Sequence, residues 1–296
     1  MKRERLTILL GLCLSVGAAC ATARPELPVE TAAERPTESY ETYMARGFEE
    51  VKQAWQLDHM RAAIADFEKA DVVRPNQKEA LFQLSRLYYA MTYCFYKEIT
   101  DENERMELYN KGKKAGYRAM LLVPEFKQAM DEGKAIDEET IKLIPKEFAG
   151  VMFLMTANWS RWGELKGVLT QAFDIPKVKA MLDRAVELDE GFYYGGPHRA
   201  LGGYYSLLPG MFGGDAEKSG EHFRRAIELD PDYLENHYMY VFYYALHGSV
   251  ENEKLFDTEI QFILNHPIEP DHPDRAAQEA AVRMAKDLLD KKADLF

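Results

Sequence analysis

A small residue, a phenylalanine, a second small residue and a proline recur along this chain at one fixed spacing, and few folds accommodate that pattern. Ala63, Phe67, Ala70 and Pro75 make the first copy; Ser219, Phe223, Ala226 and Pro231 make a later one, with steps of four, three and five residues in both. Steps of four and three put the first three side chains on one face of a helix. Small residues let two antiparallel helices approach closely, the aromatic ring fills the gap between them, and the proline stops the helix because it has no N–H to offer. A unit of this kind cannot bury its apolar face alone, so it stacks on neighbours.

The spacing is the second-helix signature of a tetratricopeptide-like (TPR-like) hairpin, which repeats every 34 residues or so. Counting back from Ala63 starts the first repeat at Met44, and the next starts at Lys78, whose helix carries Leu81, Leu84, Ser85 and Tyr88 at the expected positions. The first pair is predicted at residues 40–55 and 59–73, with Asp58 as the cap of its second helix. In the second unit the first helix is extended to Ile99, while Gly112, Gly116, Ala119 and Pro124 mark a displaced second helix. A third pair is expected at 148–162 and 176–188. The fourth follows Leu201, Gly202 and Tyr205, with a Gly-rich connector, Pro209 to Gly214, before the second signature. A fifth pair is expected at 233–247 and 252–265, and a last helix at 273–291 would cap the stack. The fold class is therefore all-α: four to five TPR-like pairs over residues 40–296, packed into a compact solenoid or bundle with a C-terminal capping helix.

Upstream of that body, Lys2, Arg3 and Arg5 precede an apolar stretch from Leu6 to Val16, too short for a permanent membrane span. This is the pattern of an export signal, residues 1–19. Gly17, Ala18 and Ala19 leave only small side chains before Cys20, and the stretch resembles a bacterial lipobox, with Gly17 in place of its usual large aliphatic residue. A cut after Ala23, at the small-x-small site Ala21-Thr22-Ala23, competes with it and would discard Cys20. Lipidation of Cys20 is preferred, since no other role for that cysteine is apparent. Residues 20–39 then form a lipidated, Pro-rich flexible tether. With Cys13 and Cys20 so assigned, Cys94 is left alone inside an apolar run, where a free cysteine is expected to act as a small buried hydrophobe.

The chain has 37 Lys and Arg against 49 Asp and Glu, a net charge of −12, which becomes −14 once the signal is removed. An acidic body repels phosphate backbones, so nucleic acid is not an expected partner. Attachment to a membrane would rest on the lipid. Ala21 lacks the acidic character that commonly retains lipoproteins at the inner membrane, which favours a periplasmic protein held at the outer membrane.

Several segments together resemble a known family, the periplasmic TatT lipoproteins, the T component associated with tripartite ATP-independent periplasmic (TRAP) transporters. They are Asn158-Trp159, the run from Gly191 to His198, Leu208-Pro209, Gly213-Gly214, and the run from His222 to Leu229. The resemblance covers most of residues 40–292. It implies a TPR-like lipoprotein that associates with the substrate-binding P component of such a transporter and helps deliver a hydrophobic ligand. It transfers no catalytic residue.

The predicted first helices are apolar on more than one face. In 233–247, His237, Tyr240, Val241 and Tyr244 share one face, and Tyr238, Phe242 and Ala245 another. First helices of TPR pairs line the concave side, so a second apolar face there would bound a groove or tunnel. The expected wall is Tyr89, Tyr93, Trp159, Tyr205, Tyr240 and Tyr244, each with an apolar body and a polar tip. The competing reading makes these faces the core of a bundle. Glycines in Gly195-Gly196-Pro197 and Gly202-Gly203 fit tight helix packing better than close approach to a ligand.

Of seven histidines, only His266 and His272, set among Pro267, Asp271, Pro273 and Asp274, resemble a local ligand set; the prolines favour a rigid turn instead. No catalytic residue, metal or cofactor is expected, and the protein is not read as an enzyme. The expected partners are the P component, a small hydrophobic ligand, further copies of the chain, and a membrane through the N-terminal lipid. The alternative is a generic TPR scaffold lipoprotein for envelope assembly, binding peptide through Asn, Lys and Arg clamps.

Overall fold

The computed structural model describes residues 36–167, 172–247 and 250–296. The export signal and Cys20 lie outside the described residues. Fourteen α-helices, with no strand, are present among the described residues.

Helices α1 (Tyr40–Val51) and α2 (Leu57–Val73) form the first hairpin. Ser39 caps α1 by accepting from Thr42 N at 3.1 Å. In α2 the cap position is Gln56, and the expected cap Asp58 lies inside the first turn, where its charge still suits the helix dipole. Phe67, Ala63 and Ala70 are fully buried, and Phe48 meets the Phe67 ring edge-on at 5.3 Å. Burying such a ring contributes about 2–3 kcal/mol. Pro75 stands in the turn before α3 (Lys78–Cys94). Asn76 in that turn is left-handed, and Arg118 of α4 (Glu102–Met120) reaches both it and Asp71. Helix α3 ends at Cys94 and not at Ile99; residues beyond it close hydrogen-bonded turns, with Phe95 already out of helical geometry. Cys94 is a free, fully buried residue in the core, as expected.

Between the second and third pairs run two short helices that periodicity did not reveal, α5 (Pro124–Asp131) and α6 (Glu138–Ile141). The third pair is α7 (Ala149–Lys166) and α8 (Ile175–Asp189), the fourth α9 (Phe192–Leu207) and α10 (Ala216–Leu229), the fifth α11 (Leu234–Tyr243) and α12 (Val250–Asn265). They are followed by α13 (Arg275–Asp290) and the short α14 (Lys292–Leu295).

Stacking alone would leave an open array. Here the five helices α3, α7, α9, α11 and α13 pack each on the next, and α13 packs back onto α3, so they form a closed circle. Helices α4, α8, α10 and α12 lie outside it, each against two neighbours in the circle, and α2 lies against α3 with α1 on it. The closure is polar at its rim: Tyr96 Oη donates to Asp287 at 2.6 Å, Lys97 pairs with the same carboxylate at 2.8 Å, and Arg283 donates to Cys94 O at 2.7 Å.

Helix α7 is buried on every side from Val151 to Asn158. It comes close to α4 because Gly112 and Gly116 face it: a Cβ on Gly112 would stand 2.2 Å from Asn158 Oδ1, and one on Gly116 2.4 Å from Met155 Cβ. Asn158 in turn donates to Ser85 O and Leu154 O, both at 2.9 Å, tying α7 to α3. The two glycines that displaced the repeat signature are thus what lets the array tighten.

Candidate functional site

Within the circle lies a mainly apolar cavity of about 140 Å³. Its walls are Tyr89 of α3, Phe153 and Trp159 of α7, Tyr193 and Tyr204 of α9, and Tyr243 of α11. Trp159 is fixed by its indole N–H, which donates to Asp174 at 3.2 Å. Lys113 lies over the Trp159 and Trp162 rings at 5.3 and 4.0 Å, and burial lowers its pKa to about 8. The two most exposed large apolar side chains, Phe173 at 91% and Met211 at 85%, lie one and three residues from the lining positions Asp174 and Leu208.

An unusual backbone sets the Tyr193 wall. Tyr193, Tyr194 and Gly195 are left-handed in succession, with φ of 50°, 59° and 76°. For two tyrosines this costs about 1–2 kcal/mol each, so neighbouring contacts must hold them. Asn236 Nδ2 donates to Tyr194 O at 2.9 Å, and its Oδ1 accepts from Arg199 Nη1 at 2.6 Å. Arg199 pairs with Glu235 at 3.1 Å, and both are nearly inaccessible. Burial opposes charge on Arg199, yet Glu235 and the surrounding tyrosines keep its pKa raised. The Tyr194 ring stacks on Tyr233 with centroids 4.2 Å apart. Gly195 is where only glycine fits: besides its φ, a Cβ there would come 2.9 Å from Ala226 O. Close approach here is to helix α10, as the packing reading expected.

Arg161, Glu164 and Met239 line this cavity and also a second one of about 360 Å³, which Tyr93, Tyr96, Arg105, Tyr109 and Lys291 help to enclose. These shared side chains are a partition. Arg161 pairs with Glu164 at 3.0 Å and donates to Tyr243 Oη, while Tyr243 donates to Glu164 at 3.2 Å. The guanidinium lies 5.6 Å from both the Tyr93 and Tyr243 ring centres. Although burial opposes its charge, Tyr243, Tyr89 and Glu164 hold Arg161 protonated. Tyr93 and Tyr243 are pushed well above the usual phenol range by burial, so both remain hydroxyl donors.

Of the six aromatic residues expected in one wall, Tyr89 and Trp159 line the first cavity and Tyr93 the second. Tyr205, Tyr240 and Tyr244 line neither. Tyr205 stacks on His222, with centroids 5.5 Å apart. Tyr240 packs between Phe223 and Tyr244, and Tyr244 lies over Gly220. The side chains found in the wall are their neighbours, Tyr204 and Tyr243. One residue turns a helix by about 100°, and both faces of these helices are apolar, so hydropathy alone could not choose between them. The residues missed, Tyr193, Arg161 and Arg199 among them, owe their places to the left-handed turn, to the Arg161–Tyr243 hydrogen bond between α7 and α11, and to the Arg199–Glu235 ion pair between α9 and α11.

His198 and His222 meet through their Nδ1 atoms at 2.9 Å, and Glu190 holds His198 Nε2 at 3.1 Å. Burial, then mutual repulsion, lowers the His222 pKa to about 4; burial also lowers that of His198. His266 and His272 do not converge: His266 packs on Phe262, and His272 on Tyr194 and Tyr233. Among the described residues, no group of three or more His, Cys, Asp and Glu side chains could hold a metal ion. No helix among them is long and apolar enough to cross a membrane.

A closed stack of helical hairpins around an aromatic-walled cavity defines an all-α scaffold of the solenoid or bundle class. Residues 47–296 match the family described as TAtT, TRAP transporter T-component, and the chain belongs to that family, whose members are components of TRAP transport systems. No curated protein matches the sequence.

Proposed function

We propose that this chain is an envelope lipoprotein that docks the substrate-binding P component of a TRAP transporter and holds a hydrophobic ligand in the first cavity. The observation that carries the reading is the cavity itself: aromatic walls from four different helices enclose an apolar space inside a family associated with transport. Apolar walls favour a ligand of the same character, because its burial there releases water from both surfaces. Exposed Phe173 and Met211 beside the cavity's lining segments suit a face that a protein partner covers. The peptide-scaffold alternative needs a polar groove with carboxylate clamps, and the arginines of this cavity are already committed to Glu164 and Glu235.

Anchoring belongs to the same proposal. Lipid on Cys20 would hold the protein at the periplasmic face of the outer membrane, with residues 20–39 as the tether. Intact mass of the mature protein tests it: a diacylated or triacylated N-terminus at Cys20 is expected, and an unmodified chain beginning at Arg24 overturns it.

Affinity capture of the full-length protein from envelope extract tests the partner. Recovery of a periplasmic solute-binding protein is expected; recovery of outer-membrane assembly factors alone would overturn the transport reading. For the ligand, a twelve-carbon alcohol titrated into the purified protein should change the Trp159 fluorescence. Absence of binding by any apolar probe would remove the ligand-holding part.

A further inference from the structure

The second cavity carries chemistry that a purely hydrophobic ligand would not use. Tyr93 Oη is buried within its wall and has no hydrogen-bond partner among the described residues. Arg105 Nε is buried and unpartnered as well among the described residues, although the same guanidinium reaches the Tyr109 hydroxyl. An unsatisfied buried donor costs about 1–3 kcal/mol, so two in one cavity point to an acceptor that belongs there.

Charge points the same way. Asp287 and Glu164, the two acids of this wall, are both engaged: Asp287 by Tyr96 and Lys97, Glu164 by Arg161 and Tyr243. Arg105 and Lys291 also line it, with Lys291 near enough to Asp287 to favour that carboxylate's charge. Two cations in this wall, Arg105, which reaches the Tyr109 hydroxyl, and Lys291, which is exposed at its edge, suit an anion inside a chain of net charge −12. Its neighbour, by contrast, is mainly apolar; the side chains of Arg161, Glu164 and Met239 line both, and Tyr89 of the first packs on Tyr93 and Tyr109 of the second. All three are long side chains with several staggered rotamers, and parting them exchanges the Arg161–Glu164 pair for contacts with the ligand.

We propose that the two cavities are one site for a single-tailed anionic amphiphile, its tail in the first cavity and its carboxylate or phosphate head in the second at Tyr93 Oη, Arg105 and Lys291. This rests on the ligand-holding reading above and adds the class of ligand. The tail lies across the Arg161–Glu164 partition, which parts to admit it.

Calorimetric titration of the intact protein with four twelve-carbon probes below their micelle concentrations tests the proposal: dodecanoate, dodecyl phosphate, dodecanol and dodecyltrimethylammonium. One charge-assisted hydrogen bond is worth roughly a tenfold change in affinity. Dodecanoate or dodecyl phosphate should therefore bind about tenfold or more tightly than dodecanol, and whichever is tighter identifies the head. Tyr93→Phe and Arg105→Gln should each weaken the anionic probe several-fold and leave dodecanol unchanged, with melting temperature and circular dichroism confirming that both variants fold. Equal binding of dodecanol, tighter binding of the ammonium probe, or equal weakening of both probe types by the variants overturns the head site while leaving the apolar cavity intact. If no probe binds, both readings fall.

Discussion

Replacing Asn236 by alanine removes the side chain that ties the left-handed turn of α9 to α10 and α11. Its amide donates to Tyr194 O, Ala226 O and Asp230 O at 2.9, 3.0 and 3.2 Å, and its carbonyl oxygen accepts from Arg199 at 2.6 Å. Two of these losses are cushioned, because Ala226 O still accepts from Asp230 N and Asp230 O from Tyr233 N, while Tyr194 O keeps only a longer bond from Arg199 Nη1 at 3.4 Å. The costly ones are Arg199, a buried cation losing a short acceptor at about 1.5–3 kcal/mol, and Tyr194 O, at about 1 kcal/mol. With the small void left behind, the expected loss is about 3–4 kcal/mol. For an ordered body of this size that corresponds to a fall of about 5–8 °C in Tm. Urea unfolding followed by far-UV circular dichroism measures it. Because the turn places Tyr193 in the cavity wall, dodecanol binding should weaken in the same variant. A loss below about 1 kcal/mol, or unaltered binding beside a large loss, would refute the claim that this clamp holds the turn and the wall together.

Other substitutions test separate parts of the argument. Gly112→Ala places a methyl group 2.2 Å from Asn158 Oδ1; the strain, about 2–3 kcal/mol, should outweigh the roughly 1 kcal/mol that alanine brings to a helix, and a stabilised protein by urea unfolding would sink the close-approach reading of α4 and α7. Stability should also fall with acidification. His222 takes up its proton only near pH 4 in the folded chain, His198 below its usual value, and the unfolded chain protonates both near 6.5, so in between the unfolded state binds more protons. His222→Gln should flatten the urea midpoint against pH across that interval, and an unchanged slope would count against the pair. Trp159→Phe should abolish the fluorescence response to dodecanol with little change in Tm; a full response in that variant would place the ligand elsewhere.

The signature at Ala63 to Pro75 and at Ser219 to Pro231 was enough to give the class of fold, because close helix approach around a phenylalanine is local chemistry. Phe67 and Phe223 are both fully buried where that spacing puts them. Helices α5 and α6 were illegible, being too short for a periodicity to establish itself. Tyr205, Tyr240 and Tyr244 show a different limit: Tyr205 and Tyr240 lie in helices and Tyr244 just past the end of α11, and which face of such a segment meets the cavity depends on packing partners far away in the chain. The left-handed Tyr193 and Tyr194 had no signal at all, since tyrosine has no preference for that geometry and is held in it by Asn236, 42 residues beyond Tyr194.

What the sequence determined by itself is therefore the repeat, the pairing of consecutive helices and the family, all of which follow from residues within about one repeat of each other. The closing of α13 onto α3, the cavity inside the circle and the partition at Arg161 were decided only in the tertiary structure. Their contacts join residues up to 191 positions apart, as between Tyr96 and Asp287. No local pattern encodes such a contact, because its energy exists only once the intervening helices have packed and fixed the distance.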